Sequence, residues 1–318
     1  MSTQVILHIG PPKTGSTSIQ GFLSSTYDDL LKHGVLYPRE GRIQAGTRYC
    51  VYRHGKPAMM SGPADNHQLL AWAMKKEAEG INADRCWLDV LQEIDAKKPK
   101  TVLISGEDFF GISEESVCQV KKTLEAYSVK ILFYLRNPFD LLLSGYKQRI
   151  KAGRFYRSFS NFLQEEGPII FEAYETRARR WSEHFGLKNM IIKPFDKIKK
   201  NSGIERDLIE FLDLNPKDFE QHLLHMKRLN VSPSDETINL MRFVNFAEHS
   251  FGSRGKLRFF FGKARGKCSF LSPLARPFLG KALFQHEDVL MVRNLIKEWG
   301  PRFFGTYLHP EDRPYVEF

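Results

Sequence analysis

The sequence predicts an α/β fold, with a parallel β-sheet flanked by helices and a helical C-terminal extension. Short apolar runs alternate with helical patterns over the first two thirds of the chain, as in sheets covered on both faces. The first run ends in Gly-Pro-Pro and leads straight into a helical pattern. Beyond Leu214 the strand signal fades and helical spacing dominates. Residues 1–214 are therefore read as the core and 215–318 as a basic helical extension packed on the same domain.

In chain order, Val5–Ile9 reads as a buried parallel strand. From Ser16 to Leu31, the residues Ile19, Phe22, Leu23, Leu30 and Leu31 follow helical spacing. Gly34–Tyr37 offers a second short strand, and Arg39–Asp65, rich in Gly, Arg and Pro, reads as a long functional loop. Helices are expected from Asn66 and over Arg85–Ala96. "KTVLIS" (Lys100–Ser105) and "VKILFYL" (Val129–Leu135) are strands, the second followed by Asn137 as cap and Pro138 as first helical residue. A helix over Glu172–Phe185, a last strand at Asn189–Phe195 and a helix over Glu287–Trp299 complete the reading.

Composition excludes several classes. With 42% hydrophobic and 26% charged residues in 318, this is an ordinary globular chain. No apolar run approaches the roughly 20 residues that cross a bilayer. The N-terminus lacks the basic and apolar regions of a signal peptide. Four scattered cysteines (Cys50, Cys86, Cys118, Cys268) form no C-x-x-C pair, which favours a reducing compartment; a cytoplasmic protein is expected. The net charge of +10 favours anionic partners. Phe251–Lys281 holds eight Lys or Arg and no acid, with phenylalanines between them. It reads either as a solvated insertion or as a peripheral membrane or polyanion contact.

The stretch "HIGPPKTGSTSIQ" resembles a P-loop but departs from its spelling. Lys13 precedes Gly15 instead of following it, and Ser16 and Thr17 come next. In a parallel sheet, ligands bind beyond the carboxyl ends of the strands, which is where the first strand delivers Gly10–Thr17. Gly15 permits close backbone approach, and the amides of Ser16, Thr17 and Ser18 stand at a helix start, where phosphate or sulfate is favoured. Lys13 adds a point charge. The plain alternative is a strand-to-helix turn with an exposed Lys.

A second anion site follows "ILFYL". Arg136 ends the strand, and residues 137, 141, 144 and 148 share one helical face, which puts Ser144 on the cap side. Taken alone, Arg136 could equally be a helix-end Arg paired to a carboxylate.

Together, "HIGPPKTGSTSIQ" and "YLRNPFDLLLSGYKQ" look like the two nucleotide motifs of sulfotransferases that use 3′-phosphoadenosine 5′-phosphosulfate (PAPS), more closely the bacterial and carbohydrate-acting branches. The resemblance covers about Val5–Leu214 and implies a P-loop-type core. It implies that Pro12, Lys13, Thr14, Gly15, Ser16 and Thr17 hold the 5′-phosphosulfate. Arg136 and Ser144, eight positions apart, would bind the 3′-phosphate. It further implies transfer of the sulfuryl group to a hydroxyl or amine by in-line displacement, with adenosine 3′,5′-bisphosphate as product and no metal. The C-terminal Arg-Lys-Gly motif of the steroid and phenol enzymes is not recognisable. An acidic or neutral saccharide is the expected acceptor, making carbohydrate sulfation the expected role, and no nucleic acid is expected.

Within that resemblance Lys13 is the cation that steadies the departing oxygen, and Glu107 in "LISGEDFF" is the base. Glu107 paired to a basic neighbour is the alternative. His8 reads as a core or supporting histidine, and His54 and His67, which flank the Gly- and Arg-rich loop, as solvent-exposed residues, with contact to an acceptor as the alternative. His222 and His225 lack further ligands, and Tyr174 and Trp181 read as packing residues or as lining of the acceptor cleft. Two rival functions stay open: a P-loop kinase or NTPase, with Glu107 and Asp108 as its only strand-end carboxylates, and a non-catalytic polyanion binder using 251–281.

Overall fold

The computed structural model describes residues 3–43, 48–53, 56–60, 65–75, 81–225, 233–251, 262–269 and 283–316. By compactness the chain forms two units. The first comprises Met1–Arg136, Tyr174–Leu229 and Thr306–Tyr315; the second comprises Asn137–Ala173, Asn230–Gly305 and Val316–Phe318.

The first unit is built on a parallel sheet of five strands: β1 (Gln4–His8), β2 (Val35–Leu36), β5 (Thr101–Ser105), β6 (Ser128–Leu135) and β7 (Met190–Pro194). Their spatial order is β2-β5-β1-β6-β7, all parallel. β1 is central, pairing with β5 (His8 opposite Ser105) and with β6 (His8 opposite Leu132). Its residues Val5 to His8 are buried, as a strand covered on both faces requires. The strand order reverses beside β1, so the crevice at its carboxyl end is the expected ligand edge.

Helices α1 (Ser16–Ser25), α2 (Tyr27–Lys32), α8 (Phe195–Asn201) and α9 (Ile204–Phe211) accompany the sheet. Ile19, Phe22 and Leu23 of α1 join Ile6, Leu103, Leu132, Phe195, Ile204 and Leu208 in one buried cluster. Each such side chain contributes roughly 1.5–3 kcal/mol on burial. Where one helix was expected over Ser16–Leu31, two form. Thr26 separates them, its buried hydroxyl donating to the carbonyl of Phe22 at 2.7 Å, a local bond that competes with helix continuation.

The segment 39–65 is not simply a loop. It carries an antiparallel pair, β3 (Tyr49–Arg53) and β4 (Lys56–Met60), joined at a point that lies outside the described residues. Pro57 hid this in the sequence, yet a two-stranded ribbon is all edge and tolerates proline. Then come α3 (Gln68–Met74), α4 (Ala83–Lys97) and α5 (Glu114–Thr123). The side chains of Asn82 and Ser113 cap α4 and α5 by accepting from the amides of Arg85 and Ser116. A short 3-10 turn, Glu107–Gly111, follows β5.

Helix α7 (Phe159–Phe185) runs through both units and begins well before the expected Glu172, because Phe159, Phe162 and Leu163 extend its apolar stripe. The first unit also holds α10 (Glu220–His225). In the second unit, α6 (Pro138–Lys151), the start of α7, α11 (Asp235–Phe251), a short helix α12 at 262–269 and most of α13 (His286–Tyr307) enclose an aromatic core. Tyr146 packs against Phe155, Phe159 and Phe162, and Phe171 stacks on Trp299 at 4.9 Å. The buried Asn245 amide donates to the carbonyls of Ile150 and Phe155, both at 2.8 Å.

Much of the basic stretch 251–281 lies outside the described residues. Within α12, Arg265 pairs with Glu248 and donates to Asn245, so this one of the eight charges is spent internally. Among the described residues, no helix is long and apolar enough to cross a membrane.

Candidate functional site

After β1 the chain turns through Gly10–Gly15 into α1. Gly10, Lys13 and Gly15 have φ of 92, 73 and 80°, all left-handed, which for Lys13 is an uncommon and costly backbone. A Cβ at Gly10 would stand 3.0 Å from both the Cα and the carbonyl oxygen of Glu107. The loop is thus pressed onto the turn that follows β5. A Cβ at Gly15 would meet Ile204 Cδ1 at 2.8 Å and Phe195 Cε2 at 3.0 Å, so this glycine answers both to conformation and to close approach. Thr14, fully buried, donates to the carbonyl of Pro11 at 2.6 Å and braces the turn from inside.

This loop suits an anion. α1 opens with no side-chain cap and no acidic residue in its first turn. Its leading amides therefore have no intrahelical partner, and the first turn of α1 itself brings no carboxylate against a negative ligand. Arg136, at the end of β6, reaches the same loop: its Nη1 donates to the carbonyl of Lys13 at 3.2 Å, and its Cζ lies 5.7 Å from the centre of the Phe195 ring. The Nε of Arg136 is buried and, among the described residues, has no hydrogen-bond partner. A buried donor of this kind calls for an acceptor. Lys199 lies across the same ring, its Nζ 5.6 Å from the centroid.

Glu107 opens the 3-10 turn on the far side of Gly10. Burial pushes its carboxyl up from the ordinary glutamate value and the neighbouring Asp108 adds to this; the Ser16 hydroxyl and the Lys13 charge pull it back only in part. The net effect is a more basic carboxylate beside the loop's cation. Asp108 is held differently, accepting from Trp72 Nε1 at 2.5 Å, while its amide donates to Gln68 Oε1 at 2.8 Å.

Beneath Glu107 lies a buried polar chain. Ser105 Oγ contacts His8 Nδ1 at 2.8 Å and accepts from Gln20 Nε2 at 3.1 Å. The amide of Ser105 donates to His67 Nδ1 at 3.2 Å. Since Nδ1 of His67 accepts, Nε2 carries its proton and donates to the carbonyl of Pro38 at 3.0 Å. Burial lowers His8 to about 4 and, with help from Arg42, His67 to about 3, so both rings are neutral at pH 7. His8 is the supporting histidine the sequence suggested. His67 is not the exposed residue expected; it is wholly buried, tying β5 to the segment before α3. His54 lies outside the described residues.

A profile described as "Sulfotransferase domain" matches residues 3–256. The chain belongs to the sulfotransferase domain family. Among solved structures, it is similar to a sulfotransferase from Alicyclobacillus acidocaldarius, with 17% identity, a TM-score of 0.40, and coverage of 71% of this chain and 92% of that one. It is also similar to the sulfotransferase domain from the curacin biosynthetic pathway, with 11% identity, a TM-score of 0.39, and coverage of 94% and 97%. An uncharacterised protein of Archaeoglobus fulgidus is 24% identical over 147 residues. That match takes in 44% of this chain and spans about two fifths (39%) of the length of the curated relative.

Enzymes of the sulfotransferase family generally draw the sulfuryl group from PAPS. Of the residues expected to serve such a donor, the fold brings Lys13, Thr14, Gly15, Ser16, Glu107 and Arg136 of the first unit together. Pro12 is exposed on the loop, and Thr17 is half-buried in the first turn of α1. Ser144 is half-buried on α6 in the second unit, and its assignment rests on the sequence resemblance. His222 contacts Asp29 Oδ2 at 3.1 Å, and no group of metal-ligating side chains occurs among the described residues.

Three neighbours complete this region: Tyr174, which the sequence offered as a packing residue or as lining of the acceptor cleft, and Arg177 and Phe195, to which it assigned no role. Tyr174 is buried with its charge environment set by Arg177, Arg136 and Glu107. Arg177, one helical turn further along α7, lies over the Phe110 ring. Phe195 underlies Arg136. The Tyr174/Arg177 spacing of three was the available signal, but nothing in one sequence says which face of α7 meets the turn after β5.

Proposed function

We propose that this protein is a PAPS-dependent sulfotransferase acting on a hydroxyl acceptor, with a saccharide as the preferred class. The observation that carries the reading is the meeting of three segments at the carboxyl edge of the sheet: the Lys13 loop, the Glu107 turn and Arg136, whose buried Nε has no partner among the described residues. Bound PAPS supplies the sulfuryl group and, as leaving group, a doubly phosphorylated nucleoside.

The chain's own residues divide the remaining tasks. The leading amides of α1, with the Thr17 hydroxyl, hold the phosphosulfate oxygens, and the Ser16 hydroxyl, which donates to Glu107 here, turns to them when the donor binds. Lys13 steadies the negative charge on the departing oxygen. Glu107 takes the acceptor's proton as its oxygen attacks, a role helped by the raised pKa of its carboxyl. Arg136 serves the second phosphate of the nucleotide, and its buried Nε gives that phosphate a donor not used elsewhere. Ser144 joins it on the strength of the sequence resemblance. A saccharide is supported by the family branch that the motifs resemble and by the +10 net charge.

The test is transfer of label from PAPS to a panel of saccharide acceptors by the wild type, Lys13→Ala and Glu107→Gln. Transfer by the wild type alone supports the reading. Equal turnover by all three, or magnesium-dependent ATP hydrolysis in place of transfer, overturns it.

A further inference from the structure

The half-buried arginines of the first unit are nearly all engaged. Arg42 donates to the carbonyls of Tyr37 and Pro38, Arg180 to the carbonyl of Ile112, and Arg136 to that of Lys13. Arg177 is the exception: among the described residues it makes no hydrogen bond and no ion pair. Its guanidinium sits 5.7 Å from the centre of the Phe110 ring and against Gly111, where an added Cβ would be 3.6 Å from its Cζ. A cation–π contact of this kind is worth about 0.5–1 kcal/mol. It leaves the fork of N–H donors unused, although burial already disfavours the charged form here.

Tyr174, one turn earlier on α7, is in the same condition. Its ring is edge-on to Phe110 at 5.0 Å and only 6% exposed, yet its hydroxyl makes no hydrogen bond among the described residues. Tyr174 feels the charges of Arg177, Arg136 and Glu107, and its ring packs on Phe110 of the turn that Glu107 opens. Gly111 closes the same 3-10 turn that Glu107 opens. Asp108 attracts Arg177 but stands beyond ion-pair distance, held by Trp72. Two donors without a hydrogen-bond partner among the described residues, one of them a cation, therefore pack against the turn that Glu107 opens.

We propose that Arg177 and Tyr174 form an acceptor subsite for a carboxylate, so that the favoured acceptor is an acidic molecule carrying its carboxylate close to the hydroxyl that is sulfated, as in a uronic-acid saccharide. This rests on the sulfotransferase reading and narrows its acceptor. The planar guanidinium offers two parallel N–H groups that match a carboxylate, and the tyrosine hydroxyl supplies a third donor. The subsite also offsets the repulsion that Glu107 and Asp108 would exert on an acidic acceptor.

The experiment compares a uronic-acid disaccharide with its carboxyl-reduced counterpart as acceptors of label from PAPS. Wild type, Arg177→Gln and Arg177→Lys are assayed, and adenosine 3′,5′-bisphosphate affinity is measured for each. The expected result is at least a tenfold preference in kcat/KM for the acid by the wild type. Arg177→Gln should lose it and Arg177→Lys keep part of it, with nucleotide affinity unchanged in all three. Equal use of both acceptors by the wild type, a preference that survives Arg177→Gln, or no transfer to either while the bisphosphate binds overturns the subsite alone. Failure of the bisphosphate to bind the wild type overturns the sulfotransferase reading itself.

Discussion

The guanidinium of Arg136 donates to the main-chain carbonyl of Lys13 across 3.2 Å, although 123 residues separate them. This bond joins the end of β6 to the turn after β1 and leaves Nε of the same guanidinium buried without a partner among the described residues. An arginine that uses one donor to fix a loop and holds another in reserve is well placed to bind and to order at once. Arg136→Ala should therefore weaken adenosine 3′,5′-bisphosphate by about 10–100-fold, the equivalent of one or two charge-assisted hydrogen bonds. The affinity for AMP should change far less. Titration calorimetry of the variant reads both.

Lys13 is exposed on a turn that its own left-handed backbone helps to shape. Removing its side chain leaves Thr14, Gly15 and the Thr14–Pro11 bond in place. Lys13→Ala should keep its circular dichroism and thermal midpoint, and lose about 10²–10³-fold in kcat, the usual cost of one donor to a developing negative charge.

Glu107 has its pKa raised above the ordinary glutamate value, first by burial and then by Asp108. As a base it works only when ionised, so kcat/KM should rise with pH through that raised value, giving an acidic limb displaced upward from a solvent-exposed glutamate. Glu107→Gln should lose about 10²–10⁴-fold in kcat and lose the limb with it. A limb that persists in the variant assigns the base to another group.

Gly15 has φ of 80° and no room for a methyl group beside Ile204. The left-handed backbone costs a non-glycine residue roughly 1–2 kcal/mol, and the contact adds to it. Gly15→Ala should lower stability in urea by about 1–3 kcal/mol and weaken nucleotide binding as the loop shifts.

His8 and His67 are both depressed from the ordinary 6.5, to about 4 and about 3, by burial. Depressed values mean that the neutral rings contribute stability that is complete above about pH 6.5 and is lost as the pH falls toward 4 and below. Over that window each histidine adds a slope of about 1.4 kcal/mol per pH unit, because the unfolded chain binds the proton that the native state refuses. Urea midpoints measured from pH 7 to 4.5 should fall steadily. A flat profile contradicts the buried neutral rings.

The sheet was legible because its strands are unbroken apolar runs, each closed by a residue that cannot continue it: Gly10 after β1, Gly106 after β5, Pro138 after β6. The placement of the Lys13 loop and of Arg136 at strand ends was legible for the same reason, since strand ends dictate where side chains must emerge. What escaped depends on contacts made at long range. The burial of His67 follows from a bond to Ser105, 38 residues away, and no local pattern marks it. The break at Thr26 turns on one hydroxyl choosing a backbone carbonyl. The β3–β4 ribbon was masked by glycine, arginine and proline, which speak for a loop unless the edge geometry is known. Arg177 is one basic residue among several on α7, and only the packing of that helix on the Glu107 turn singles it out.

The central claim is that the Lys13 loop and Arg136 together hold a nucleotide phosphorylated at both its 5′ and 3′ positions. Titration calorimetry of the wild-type protein with adenosine 3′,5′-bisphosphate and with AMP tests it most directly. The account predicts that the bisphosphate binds at least 100-fold tighter, without added metal. Equally weak binding of the two nucleotides would contradict it.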